Sequence, residues 1–203
     1  MLVAKLLCKE IDLGDKELDE AVDLKRDPNI SEEFLIWSKG KSENKFQALL
    51  LDHGIFSAYE ISRKVHLQFT LNAMATCVDG LFNRNEKAKE LLEKFNDKFP
   101  DRDGVYSRLE GAAEFIVRMR LAEKSTWLKK ASVFSLLLVL SRYVGQLKGM
   151  KPAEVKAGLE AAAENLPESY RLAAREAVNN KRERGIRDAY ISHIVFGTPF
   201  AEG

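Results

Sequence analysis

Residues 133–140 read VFSLLLVL, seven apolar side chains and one serine in unbroken succession. Eight consecutive residues pass more than twice around a helix axis, so the segment presents apolar groups in every direction. It is stable in water only if other elements cover it on all sides. Its length falls far short of the roughly 20 residues that cross a bilayer, so the cover must be protein. The run also has the length of a buried strand. Its flanks are helical, however, with Ser125 or Thr126 as cap of a helix running through Trp127, Phe134 and Leu138 to Tyr143. No stretch alternates with period two over a length that would supply partner strands. The chain is therefore predicted to be all-α, a multi-helix bundle of about six or seven helices around a central apolar helix at about 125–144.

Start and stop signals place the surrounding helices. Ser57 and Glu60 have the spacing of a capping box, in which the serine oxygen accepts the third backbone N–H and the glutamate reaches back to the cap. One long helix is predicted from there to about Asp79, with Gly80 as its stop. Asn83 and Glu86 repeat the pattern, and Ala88, Leu91, Leu92, Phe95 and Phe99 then fall on one face until Pro100 ends the helix. Gly104 opens a segment with Tyr106, Leu109, Ala113 and Ile116 on one side. Pro152 suits a first helical turn ahead of AEVKAGLEAAAENL, and Pro167 opens a final long helix to about Val195. The first 40 residues are different in kind, acidic and broken by Gly14, Pro28 and Gly40. They read as a lead-in, a remnant of another domain, ahead of one helical domain at 41–198.

The net charge of +1 conceals a gradient. Between Glu10 and Glu33 there are ten acidic residues and three basic ones, whereas Arg171 to Arg187 holds six basic residues against two acidic. A surface that coats nucleic acid everywhere is excluded, but a local phosphate-facing strip of Arg171, Arg175, Lys181, Arg182, Arg184 and Arg187 is not. The plainer alternative puts these arginines on the solvated flank of the last helix, with Ala174, Val178 and Ile186 facing in. Cys8 and Cys77 have neither disulfide nor zinc spacing and read as small buried hydrophobes in a reducing, cytoplasmic setting. His66, between Val65 and Leu67, reads as a packed core histidine rather than a ligand. No cofactor and no metal is predicted, because phosphate loops, His-Glu-x-x-His and Gly-x-Ser-x-Gly are all missing.

One spacing does carry chemistry. Arg187 and His193 resemble the Arg-x4-6-His motif of the HEPN ribonucleases, which are also all-α. In that chemistry the histidine moves a proton at the ribose 2′-hydroxyl and the arginine stabilises the charged phosphorane. Six positions amount to about 600° of helix, so the two side chains of a regular helix lie well apart.

Three stretches taken in order resemble something larger. YEISRKVHLQFTLNAMATCVDGLFNRNEKAKELLEKFNDKFPD, STWLKKASVFSLLLVLSRY and YRLAAREAVNNKRERGIRDAYISHIV are similar to the helical C-terminal half of the ParB-like (GmrS-type) restriction and defence proteins. The chemistry of that family belongs to an N-terminal ParB-like domain marked by Asp-Gly-Gln-Gln-Arg, for which this chain offers only Asp79-Gly80 followed by Leu81. The resemblance implies a non-catalytic helical domain that contacts nucleic acid weakly and works beside a ParB-like or nuclease partner. The alternatives are the HEPN-type ribonuclease and a structural module that pairs with a protein through its acidic N-terminal segment.

Overall fold

The computed structural model describes residues 2–8, 31–39, 41, 45–95 and 98–201. It is all-helical, with no strand among the described residues. In chain order the helices are α1 (Leu2–Leu7), α2 (Glu32–Lys39), α3 (Lys45–Gln47), α4 (Ala58–Ser62), α5 (Val65–Asp79), α6 (Glu86–Lys94), α7 (Arg102–Met119), α8 (Lys130–Arg142), α9 (Val144–Leu147), α10 (Pro152–Glu164), α11 (Glu168–Arg175) and α12 (Lys181–Phe196). A π-helical turn, Ala48–Asp52, continues α3, and a 3₁₀ turn, Thr126–Leu128, precedes α8. Among the described residues no helix is long and apolar enough to cross a membrane.

Helix α8 is the axis that its composition demands. All ten residues from Ser132 to Ser141 are buried. Helices α5, α7, α11 and α12 and the 3₁₀ turn pack around them. The turn is anchored by Trp127, fully buried, whose indole N–H donates to the Leu159 carbonyl of α10 at 2.8 Å. Tyr170 of α11 donates to Ser132 of α8 at 3.0 Å, so a serine at the edge of the apolar run serves as hydrogen-bond partner for a neighbouring helix. Tilted ring pairs continue the core outward from Trp127 to Tyr170, Tyr190 and Phe200, with centroids 5.6, 5.1 and 5.0 Å apart.

Several predicted boundaries shift. The capping box at Ser57 and Glu60 is present in full, but the helix it opens ends at Ser62. Lys64, at φ 60°, turns the chain through the left-handed region before α5 begins. With that turn in place Glu60 meets Lys130 of α8 at 2.6 Å, and His66 and Thr70 face inward. Gly80 does end α5, at φ 77°, where glycine carries no Cβ penalty. Helix α6 starts from Asn85 rather than Asn83 and ends at Lys94, ahead of Pro100; Phe95 and Phe99 then stack on each other at 5.2 Å. Where residues of the expected 1–40 lead-in are described, they join the common core: Val3, Ala4, Leu7, Cys8 and Phe34 all belong to it. Trp37 of α2 donates to Asp103 of α7 at 2.6 Å. The acidic stretch between α1 and α2 lies outside the described residues. Cys8 is buried and Cys77 partly so, both free thiols. Burial pushes the Cys77 thiol above its usual range.

Helix α7 carries two testable features. Gly111 lets α9 approach so closely that an added Cβ would lie 2.7 Å from the Val144 side chain. Replacing a mid-helix glycine with alanine ordinarily adds up to about 1 kcal/mol of stability, but overpacking costs about 1–3 kcal/mol. Gly111→Ala is therefore expected to lower the urea midpoint, and adding Val144→Ala should recover the loss. One residue before Gly111, the Glu110 carboxylate accepts the backbone N–H of Lys45 at 2.6 Å and lies within reach of that of Phe46, so it caps α3. Burial pushes its pKa up from 4.5 to about 7, against the pull of those two N–H groups. The folded protein holds this proton where the unfolded chain has lost it, so the contribution is fully present below about pH 4.5 and is lost as pH rises through about 7. Stability measured by urea unfolding should fall between about pH 5 and pH 7, and Glu110→Gln should flatten that slope.

Candidate functional site

The basic run at Arg171 to Arg187 is expected from sequence to lie on one continuous helix, and it does not. Helix α11 stops at Arg175, Glu176 is extended, Ala177 sits at φ 45°, and α12 starts afresh from Asn180. The Asn179-Asn180 pair favours turns, since each amide side chain competes for nearby backbone groups. What completes the break is Arg187. Its guanidinium reaches back to donate Nη1 to the Ala173 carbonyl in the last turn of α11 and Nη2 to the Val178 carbonyl at 2.8 Å. Its Nε donates to Ser135 Oγ of α8 at 3.2 Å. One cation thus satisfies an orphan carbonyl at the C-terminus of α11, where the macrodipole also favours it, and a second carbonyl in the loop that follows.

Arg187 and Arg184 are each 1% exposed, which removes both from the predicted strip. They lie one turn apart on α12, together with Asp188, on the face that packs against α8. Asp188 pairs with Arg142 at 3.1 Å; burial raises its pKa and Arg142 opposes the rise. The guanidinium carbon of Arg184 lies 4.9 Å from the ring centroids of both Phe82 and Phe134. Its Nη2 donates to the Arg84 carbonyl at 3.3 Å, and its Nε and Nη1 are buried without a partner among the described residues. Burial, then the neighbouring Arg187 charge, lowers its pKa to about 10, which leaves it a cation at neutral pH.

The remaining four members of the strip are exposed. Arg171 pairs with Glu168, and Arg175 pairs with Glu176 at 3.1 Å. Lys181 and Arg182 form no ion pair among the described residues. His193 is exposed; its Nδ1 meets the Thr198 carbonyl at 2.7 Å and its ring lies 6.3 Å from that of Phe200. Arg187 and His193 share none of these partners, and the structure does not bring them together. No cluster of three or more potential metal ligands occurs among the described residues.

Two residues outside the strip complete this corner. The Arg84 N–H donates to the Asn179 carbonyl at 2.7 Å, and Asn83 Oδ1 accepts the Lys181 N–H at 2.9 Å. The α5–α6 loop therefore clasps the α11–α12 loop, and Asn83 caps α12 instead of the helix that follows it in sequence. Exposed Arg84, itself at φ 48°, stands beside Lys181 and Arg182 without an ion pair among the described residues. Nothing in the local sequence marks this, because the partners lie 98 residues apart. Elsewhere, an open groove of about 470 Å³ is lined by His53, Ile55, Glu123, Lys129, Lys130 and Ala174 among others. Its Lys130 is already neutralised by Glu60, whose carboxyl is held down at about 2 chiefly by that contact.

Comparison with protein-family models, with curated proteins and with solved structures finds no match to this chain.

Removing Arg187 would leave two buried carbonyls and a hydroxyl without their donor. Each such loss costs about 1–3 kcal/mol, so Arg187→Met is expected to destabilise the fold by about 3–5 kcal/mol in urea titration. Arg187→Lys should recover only part, because an ammonium cannot reproduce the planar fork. Arg182→Ala, on the exposed side of the same helix, should stay within about 0.5 kcal/mol.

Proposed function

We propose that this chain is a non-catalytic helical module that contacts nucleic-acid phosphates through the part of its basic run that remains outside the core. Arg171 and Arg175, each paired with a glutamate, and Lys181 and Arg182 form that surface, with Arg84 added from the α5–α6 loop. The observation that carries this reading is the division of labour on α12. Arg184 and Arg187 are internal and hold the loop in place, while Lys181 and Arg182 stand exposed beside Arg84, with no ion pair among the described residues. Cations held on a rigid element and not neutralised by carboxylates suit phosphate contact, which adds affinity without sequence preference. The geometry favours this over the ribonuclease alternative, because Arg187 commits its guanidinium to Ala173, Val178 and Ser135 and has no route to a substrate. The resemblance to the helical half of ParB-like proteins supports the same role, with the chemistry supplied by a ParB-like or nuclease partner.

Titration of the full chain against duplex and single-stranded DNA and RNA, at about 50 mM and about 200 mM salt, tests the surface. Affinity should fall as salt rises. A variant carrying glutamine at Arg171, Arg175, Lys181 and Arg182 should flatten the salt slope by about 0.7–0.9 for each phosphate that is no longer neutralised. Binding that is absent, or indifferent to salt, overturns the reading. RNA cleavage by the wild type that His193→Ala abolishes would put the ribonuclease in its place.

A further inference from the structure

We infer that the clasp between the α5–α6 and α11–α12 loops is a discrete phosphate seat, formed by the start of α12 with Arg84 and Lys181 and backed by the buried guanidinium of Arg184. The inference rests on the phosphate-facing reading above and narrows it from a surface to one position. Helix α12 is 16 residues long, and its cap residue Asn180 makes no side-chain cap. The Lys181 N–H is taken by Asn83 and the Arg184 N–H by the Asn180 carbonyl, while those of Arg182 and Glu183 donate to no backbone carbonyl among the described residues. Two backbone donors at the positive end of a helix dipole are thus available to an anion. The backbone of Arg84 is held at the same loop by its N–H bond to the Asn179 carbonyl.

A helix start alone would not single out this place. Arg184 does, independently. It is 1% exposed, reaches the clasp through its bond to the Arg84 carbonyl, and keeps two N–H groups, Nε and Nη1, without a partner among the described residues. Asp188, the nearest buried carboxylate on its helix, is paired to Arg142 instead. At 1% exposure, with the Phe82 and Phe134 rings each 4.9 Å from its guanidinium carbon, its positive charge is poorly screened by water and acts on the clasp it touches. The acid of the first turn, Glu183, is half-buried, with its Oε2 inside the protein. The ligand class is a tetrahedral phosphate, whether free or in a nucleic-acid backbone.

The test uses the full chain, labelled with ¹⁵N, and two probes: inorganic phosphate and a short single-stranded oligodeoxynucleotide. Both are titrated into the wild type, into an Arg84→Asn/Lys181→Gln variant and into a Lys124→Gln/Lys148→Gln control, which replaces exposed cations outside that surface. Asparagine tolerates the left-handed backbone at position 84, and both replaced side chains are exposed, so the fold is retained. Phosphate should shift the amides of residues 83–85 and 179–183 in the wild type, and the first variant should bind about tenfold more weakly while the control is unchanged. Phosphate binding at the clasp without oligonucleotide binding would leave the seat standing and remove the nucleic-acid function. Oligonucleotide binding that the first variant does not weaken would leave the function standing and overturn the seat. Phosphate shifts that are absent, or centred on other residues, overturn the seat as well.

Discussion

The fold of the C-terminal half depends on where one guanidinium finds its acceptors. Arg187 is sealed in the interior, where each hydrogen bond a buried cation fails to make costs stability. It makes its bonds to three separate elements: the end of α11, the loop that follows, and Ser135 on α8. Those bonds need α11 to stop and the chain to turn, because within a continuous helix the same carbonyls would be occupied by backbone N–H groups. The break at Ala177 and the burial of Arg187 are therefore two aspects of one arrangement. Once it is in place, α12 must start at Asn180, and the start is held by an asparagine side chain from the α5–α6 loop.

This arrangement sorts the basic run by position. On α12 the inward face carries Arg184, Arg187 and Asp188, while Lys181 and Arg182 fall outside. The buried members impose geometry and charge, and the exposed members are what a ligand can meet. The serines of α8 make the burial feasible: Ser132 and Ser135 place hydroxyls in an otherwise apolar helix where Tyr170 and Arg187 require them. A helix of uniform aliphatic character at those positions would leave both partners with unmet polar groups.

Much of the fold is legible along the chain. The all-round apolar character of VFSLLLVL demands a covered central helix, and Ser132 to Ser141 are buried throughout. The Ser57 capping box, the Gly80 stop and the first-turn Pro152 are local chemistry, each involving residues within about one turn of one another, and all three are present. The stripe of Tyr106, Leu109, Ala113 and Ile116 is buried as its spacing requires. The boundaries that shift have another origin. Lys64 carries no turn signal, and its left-handed backbone accompanies the contact of Glu60 with Lys130, 70 residues away. Asn83 is a good cap residue, but it caps a helix nearly a hundred positions further on.

The candidate site divides in the same way. That the molecule is helical, which helix lies at its centre, and that residues 171–187 carry a surplus of cations all follow from periodicity, capping and composition, which act over a few residues. Long-range packing alone settles which of those cations are inside, that Arg187 and His193 serve different surroundings, and that Arg84 joins Lys181 and Arg182. The physical reason is that an arginine's fate rests on the acceptors within reach of its fork. For Arg184 and Arg187 those acceptors are backbone carbonyls and a serine hydroxyl brought together by the packing of distant helices, for which no residue type leaves a mark in sequence.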